Sequence, residues 1–369
     1  MEFQDQFILL KGTAFGNIQI RYYGIIIVMA MLIAATVAAR MAERRKLNPD
    51  HVWGGLTWAI FPGIIGARLW FVLFPPVTLT AGCDTGGLCR DTAWFLQHFF
   101  DPNNGAIAVW TGGLSIFGAI LGGFIGAWLY CSRYHNTVAW IFWVIFYPFT
   151  FVFSLIGWVF SAIYEVLTRK AVTPYALPRF TTDFPAEGID IVPWLDIVGV
   201  VMPLAQAIGR WANYVNKELY GTPTQLPWGM TVDTPHRVGI YASLVDYPIE
   251  TKFHPLFLYE SLWSLLAFIV LFTYYNRNRL PLPGAWARKL PAKGDFALLY
   301  VMQYAFVRFL LEFIRAEVAY VPGTTLNSSQ LVCVLAFLVA GGIFFTRTRV
   351  SVDAPVLVDE PKTKAAKAS

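Results

Sequence analysis

Between Gly209 and Gly221 the chain carries Arg210, Asn213, Asn216 and Glu218, directly after an apolar run over residues 191–208. If that run continues as a helix, Arg210, Asn213 and Asn216 rise along one side at threefold spacing. A cation, two amides and a carboxylate at the end of a membrane segment are costly to bury and hard to explain as packing. They suit an anionic headgroup. Other apolar runs carry Arg68, Arg308 and Arg315, with the carboxylates Glu260 and Glu312. Taken singly, each charge reads as an ion pair between helices or an arginine reaching for the headgroups, and Arg308 and Glu312, four apart, suit one another. Taken together they read as a site, because excess arginine suits a planar, bidentate phosphate partner.

Such residues need elements to hold them, and composition says which kind. The 369 residues are 56% hydrophobic and only 14% charged, against about 25% charge in a soluble domain. Several apolar runs reach ~18 residues, so the fold class is an all-α polytopic membrane protein. The formal charge of +5 falls in short clusters between apolar runs, which reads as cytoplasmic loops rather than a nucleic-acid surface. Residues 1–20 lack the basic and apolar regions of a cleavable signal, so the first span is expected to direct insertion.

Seven transmembrane helices satisfy every basic cluster, with the N-terminus out and the C-terminus in. They are expected over residues 22–39, 53–74, 111–130, 191–208, 255–275, 295–314 and 328–345. Residues 1–346 form one membrane-embedded domain on this reading, with a small external subdomain at 221–253 and a disordered cytoplasmic tail at 347–369. Residues 134–190 make an extra apolar insertion, whose core at 138–167 is too long for one span and too short for two. Two short helices at the inner leaflet, broken near Pro148, are expected there. In the third span, Gly118, Gly122 and Gly126 recur at fourfold spacing, as in a face that lets another backbone approach closely. The Gly112 and Gly113 pair suits a tight turn or a close ligand.

Cys131 and Cys333 lie in or beside apolar runs and read as inert packing residues. Cys83 and Cys89 share an outer loop where a disulfide is plausible. No zinc spacing, phosphate-binding glycine loop or serine nucleophile elbow appears. Tyr22, Tyr23, Tyr259 and Tyr304 suit interfacial belts as well as a pocket. His254 before Pro255 could be only a helix start.

The stretch from Gly209 to Gly221 resembles the signature of the prolipoprotein diacylglyceryl transferase family. Arg210, Asn213, Asn216, Glu218 and Gly221 match it, while Ala212 replaces a glycine. Four further stretches match in order: Tyr22 to Gly24; Gly66 to Arg68; Gly112 and Gly113; and His254 and Pro255 with Tyr259 and Glu260. Tyr304 followed by Arg308, Glu312 and Arg315 also resembles the family, and the likeness runs from about residue 18 to 346.

The resemblance implies transfer of the diacylglyceryl group of phosphatidylglycerol to the lipobox cysteine of preprolipoproteins, at the outer face of the bacterial inner membrane. It implies no metal or organic cofactor, and the lipid bilayer and the two substrates as partners, without nucleic acid. Arg210 and Arg308 are then expected to clamp the phosphate and stabilise the leaving group. Asn213, Asn216 and Glu218 would orient the headgroup, with Glu218 or His254 as base. Tyr23, Tyr304, Glu312, Arg68, Gly112, Gly113 and Gly221 complete the expected binding set. Many family members carry a histidine where this chain has Phe117, which leaves the base open. A transporter for an anionic lipid would use the same arginines, but it predicts matching halves with broken helices, and the chain has no internal repeat.

Overall fold

The computed structural model describes residues 2–3, 6–13, 16–75, 79, 89–102, 104–109, 113–131, 137–168, 189–318, 324 and 326–351. Gly112, Cys83 and the expected tail beyond 351 lie outside them. The architecture is mostly helical. Strands β1 (Glu2–Phe3), β2 (Phe7–Thr13) and β3 (Gly16–Arg21) form an antiparallel sheet in the order β1-β2-β3, with Ile8 opposite Ile20. Then follow helices α1 (Tyr22–Arg44), α2 (Asp50–Leu73), α3 (Thr92–Gln97), α4 (Ile116–Cys131), α5 (Thr137–Thr168) and α6 (Ile191–Val215). After them come β4 (Met230–Thr231), β5 (Lys252–Phe253), α7 (Leu256–Asn276), α8 (Asp295–Leu311) and α9 (Ser328–Thr346). Among the described residues six helices are long and apolar enough to cross a membrane: α1, α2, α6, α7, α8 with its terminal turn, and α9. The protein is therefore a polytopic all-α membrane protein.

Two compact units divide the chain, residues 24–201 and residues 1–23 with 202–369. In the first, α2 and α4 meet backbone to backbone. A Cβ on Gly118, Gly122 or Gly126 would strike the carbonyls of Gly66, Pro62 and Trp58 respectively, so the fourfold glycines are a packing face. The expected third span is shorter than 111–130: α4 begins only at Ile116 and has 16 residues, about 24 Å. Gly113 before it is left-handed, at φ 67°, and so stands outside the helix. Leu32, Ala35, Ala39 and Trp53 form a buried core here, with Ile156 and Phe160 of α5 packed on it.

Helix α5 corrects an expectation. The apolar segment is one continuous helix of 32 residues, about 48 Å, with Pro148 inside it rather than two short helices. Proline removes one backbone donor and crowds one carbonyl, which this long helix tolerates without breaking. The C-terminal half is fixed by packing: a Cβ on Gly157 would strike the Trp53 ring, and the Arg40 guanidinium lies 4.3 Å from the Tyr164 ring centroid.

In the second unit, β4 and β5 pair as a two-stranded antiparallel sheet, and Tyr220, Val232, Tyr241 and Phe253 form a small core around it. Buried Arg237 fastens this subdomain through the carbonyls of Val232, Tyr247, Pro248 and Ile249. The chain just beyond α9 is also pinned, at Arg347 and Arg349, where a disordered tail is expected to begin. Arg349 grips Asp295 through two hydrogen bonds of 2.7 and 2.8 Å, and Asp295 is fully buried. A buried carboxylate needs such a partner, which is why residues 347–351 are held.

Candidate active site

Helix α6 carries Arg210 and Asn213 but ends at Val215, because Lys217 turns left-handed at φ 54°. The turn is a Schellman motif: Glu218 N–H donates to the Asn213 carbonyl at 3.0 Å and Lys217 N–H to Tyr214 at 3.0 Å. Asn216 lies past the helix instead of continuing its polar side. The reversal folds Glu218 back, so that Asn213 Nδ2 donates to Glu218 Oε1 at 2.7 Å. Ala212, standing where the family has glycine, is fully buried.

Gly221 explains its own identity. Its N–H donates to the His254 carbonyl at 2.8 Å, and it bridges Arg315 antiparallel. A Cβ there would collide with the Ile314 carbonyl and the His254 side chain. The bridge joins the chain just after α6 to the chain just after α8, while His254 leads into α7. Three helix ends therefore meet at one level.

At that level the arginines gather. Arg210 pairs with buried Glu260 of α7, and its Nη2 lies 3.4 Å from the Tyr304 hydroxyl of α8. Arg308 pairs with Glu312, and Arg315 Nη1 lies 3.8 Å from the same carboxylate oxygen. Tyr23 at the start of α1 is within electrostatic range of Glu218 and Arg210. Three guanidinium groups thus face two buried carboxylates, with Glu218 exposed at the rim. Each guanidinium offers five donors, so unused donors remain for a further anion. Their side chains are 19%, 14% and 24% exposed for Arg210, Arg308 and Arg315, which leaves them open to one.

His254 Nδ1 lies 3.1 Å from the Tyr259 hydroxyl, which also accepts from Trp228 Nε1 at 3.0 Å. Arg68 and Gly113 belong to the first unit, where Arg68 donates to the carbonyls of Gly105, Ala106 and Gly113 at 2.6, 2.9 and 3.2 Å. Of Phe117 only the helical backbone is described. In the same unit Cys89 is disulfide-bonded. Glu260, the partner of Arg210, reads from sequence only as an intramembrane carboxylate; its position one residue after Tyr259 at the head of α7 is the available signal. Gln206, Tyr300 and Gln303 carried a weaker signal, since Gln206 and Tyr300 stand one turn before Arg210 and Tyr304.

Fold and site together define a multi-pass membrane protein with an arginine-rich polar cluster at converging helix ends. The sequence matches the family profile "Prolipoprotein diacylglyceryl transferase" over residues 12–159 and 178–346. The phosphatidylglycerol--prolipoprotein diacylglyceryl transferase of Chloroflexus aggregans is 32% identical over 353 residues, covering 94% of this chain and 91% of the relative. The enzymes of that name from Pediococcus pentosaceus and Thermotoga maritima are 28% and 29% identical, covering 90% and 84% of this chain and 88% and 76% of theirs. The chain belongs to the prolipoprotein diacylglyceryl transferase family.

Proposed function

We propose that this chain transfers the diacylglyceryl group of phosphatidylglycerol to the lipobox cysteine of preprolipoproteins, forming a thioether. The observation that carries the reading is the cluster itself: three guanidiniums against two buried carboxylates, at one level where three helix ends converge. That arrangement suits a phosphodiester, which accepts bidentate hydrogen bonds and gains charge as it departs.

In the reaction the cysteine sulfur attacks the glycerol carbon that bears the phosphate. A carbon–sulfur bond forms, the carbon–oxygen bond breaks, and the electron pair leaves with glycerol phosphate. Arg210 and Arg308 hold the phosphate oxygens and offset the growing charge. Glu218 takes the thiol proton, since it sits exposed at the rim with Asn213 orienting it, whereas His254 is engaged with Tyr259. Tyr23, Asn216, Tyr304 and Glu312 line or orient the headgroup site, with Gly221 shaping it. The membrane frame we adopt has seven spans, α4 being the short third one, with the N-terminus outside and the cluster towards the outer face of the inner membrane.

The test is a transfer assay on purified protein in detergent, supplied with phosphatidylglycerol and a lipobox peptide. Wild type makes the thioether-linked peptide and Arg210→Ala does not. Near wild-type turnover by Arg210→Ala would sink the clamp.

A further inference from the structure

Below the arginines lies a second polar level. Gln206 stands one turn before Arg210 on α6, and Tyr300 one turn before Tyr304 on α8. Gln206 Nε2 donates to the Tyr300 hydroxyl at 2.9 Å, and Tyr300 stacks on Tyr304 with centroids 6.2 Å apart. One turn along α8 from Tyr300, Gln303 Oε1 accepts from Trp263 Nε1 of α7 at 2.8 Å. Two buried amide atoms here have no hydrogen-bond partner among the described residues: Gln206 Oε1, beside Tyr300, and Gln303 Nε2, five residues before Arg308 on α8.

An unpaired amide atom in an apolar interior is costly, and the cost vanishes when an occupant supplies the complement. Turning the Gln303 amide over does not help, because it would aim N–H at the Trp263 N–H. The orphan at Gln303 is therefore a donor. Gln206 is adaptable, since a tyrosine hydroxyl either accepts or donates, and turning that amide frees its Nε2 instead. What the level needs is a hydrogen-bond acceptor.

We propose that Gln303, assisted by Gln206, binds the ester carbonyls of the lipid's glycerol backbone and so selects diacyl esters. The proposal rests on the transferase reading above. The ester carbonyls of a glycerophospholipid lie a few bonds from its phosphate on the acyl-chain side. The step from Arg210 to Gln206 is about 6 Å along α6 and that from Arg308 to Gln303 about 7.5 Å along α8, which matches that separation. An ester carbonyl accepts and has no hydrogen to donate, the complement of the Gln303 orphan. An ether-linked lipid with the same headgroup lacks the carbonyl and leaves the donor unpaired. Sites built to hydrogen-bond a group discriminate strongly against analogues without it.

The experiment measures kcat/KM for one lipobox peptide with two donors of equal chain length, diester and diether phosphatidylglycerol. Wild type and Gln303→Leu are compared, with thermal melting as the folding control. Wild type is expected to favour the diester roughly tenfold, the scale of one hydrogen bond. Gln303→Leu loses about that factor on the diester alone, so the preference collapses. If leucine prevents folding, Gln303→Met keeps the side-chain length and carries the same expectation. Equal use of both donors by wild type, or equal loss on both by the variant, overturns the proposal and spares the transferase reading. No thioether product from either donor with wild type overturns that reading and this proposal together.

Discussion

Arg68 and Arg237 are buried arginines that donate to backbone carbonyls, three from residues 105–113 for Arg68 and four around residues 232–249 for Arg237. Arg210, Arg308 and Arg315 instead face carboxylates, stay partly exposed and keep donors in reserve. The side chain is the same, but the first kind fastens a loop and the second kind, on the function proposed above, holds the lipid phosphate. What separates them is the acceptor, since a carbonyl fixes geometry without adding charge while a buried carboxylate holds a charge that a second anion can share.

Substituting one arginine of each kind puts the contrast at risk. Arg210→Ala lowers turnover by about a thousandfold or more, and it also strands the Glu260 charge, at a cost of roughly 3–5 kcal/mol. Adding Glu260→Gln to Arg210→Ala is expected to restore the melting temperature without restoring turnover. Arg68→Ala lowers the melting temperature by several degrees, while the fraction that remains folded turns over close to wild type. If that folded fraction shows a raised KM for lipid at unchanged stability, Arg68 belongs with the binding arginines.

Gly221→Ala comes next. A methyl group must displace the Ile314 carbonyl or the His254 side chain, which is expected to cost about 2 kcal/mol and loosen the junction of three helix ends. Chemical denaturation in detergent reads this. Lys217→Gly acts in the opposite sense: it relieves a left-handed lysine and stabilises by up to about 1 kcal/mol, with transfer nearly unchanged.

The smallest effect is on acid sensitivity. Burial pushes the Asp233 carboxyl up, but its own backbone N–H, Lys217 and His236 together hold it below the usual carboxylate range. A carboxyl lowered in the folded state stabilises above its unfolded value, near 3.9, and that contribution fades as pH falls through the lower folded value. Melting curves from pH 5 downward should therefore show Asp233→Asn less acid-sensitive than wild type. Equal slopes for the two proteins count against the Lys217 and His236 contacts.

The six long spans were readable because each is a run of apolar residues of membrane length, and the arginines because charge inside such a run is expensive. Glu218 was readable as polar but not as a partner of Asn213, since the turn that joins them depends on a lysine taking a conformation typical of glycine. Arg68 reads from sequence like Arg210; its acceptors are carbonyls, which every residue has, so no side-chain pattern marks them. The continuity of α5 through Pro148 was hidden for a related reason, because proline's local penalty is visible in sequence and the packing of Gly157 on Trp53 is not. Arg349 is held by a carboxylate 54 residues earlier, beyond any local pattern.

That last clasp sets a clock on biogenesis. Asp295 enters the membrane region as the first residue of α8, yet the arginine that neutralises it is translated 54 residues later. At ordinary synthesis rates the carboxylate waits roughly 3–10 s without its partner. During that interval the Ala292 N–H, which donates to Asp295 Oδ2 at 2.8 Å, is the local contact that can hold the carboxylate at the start of α8.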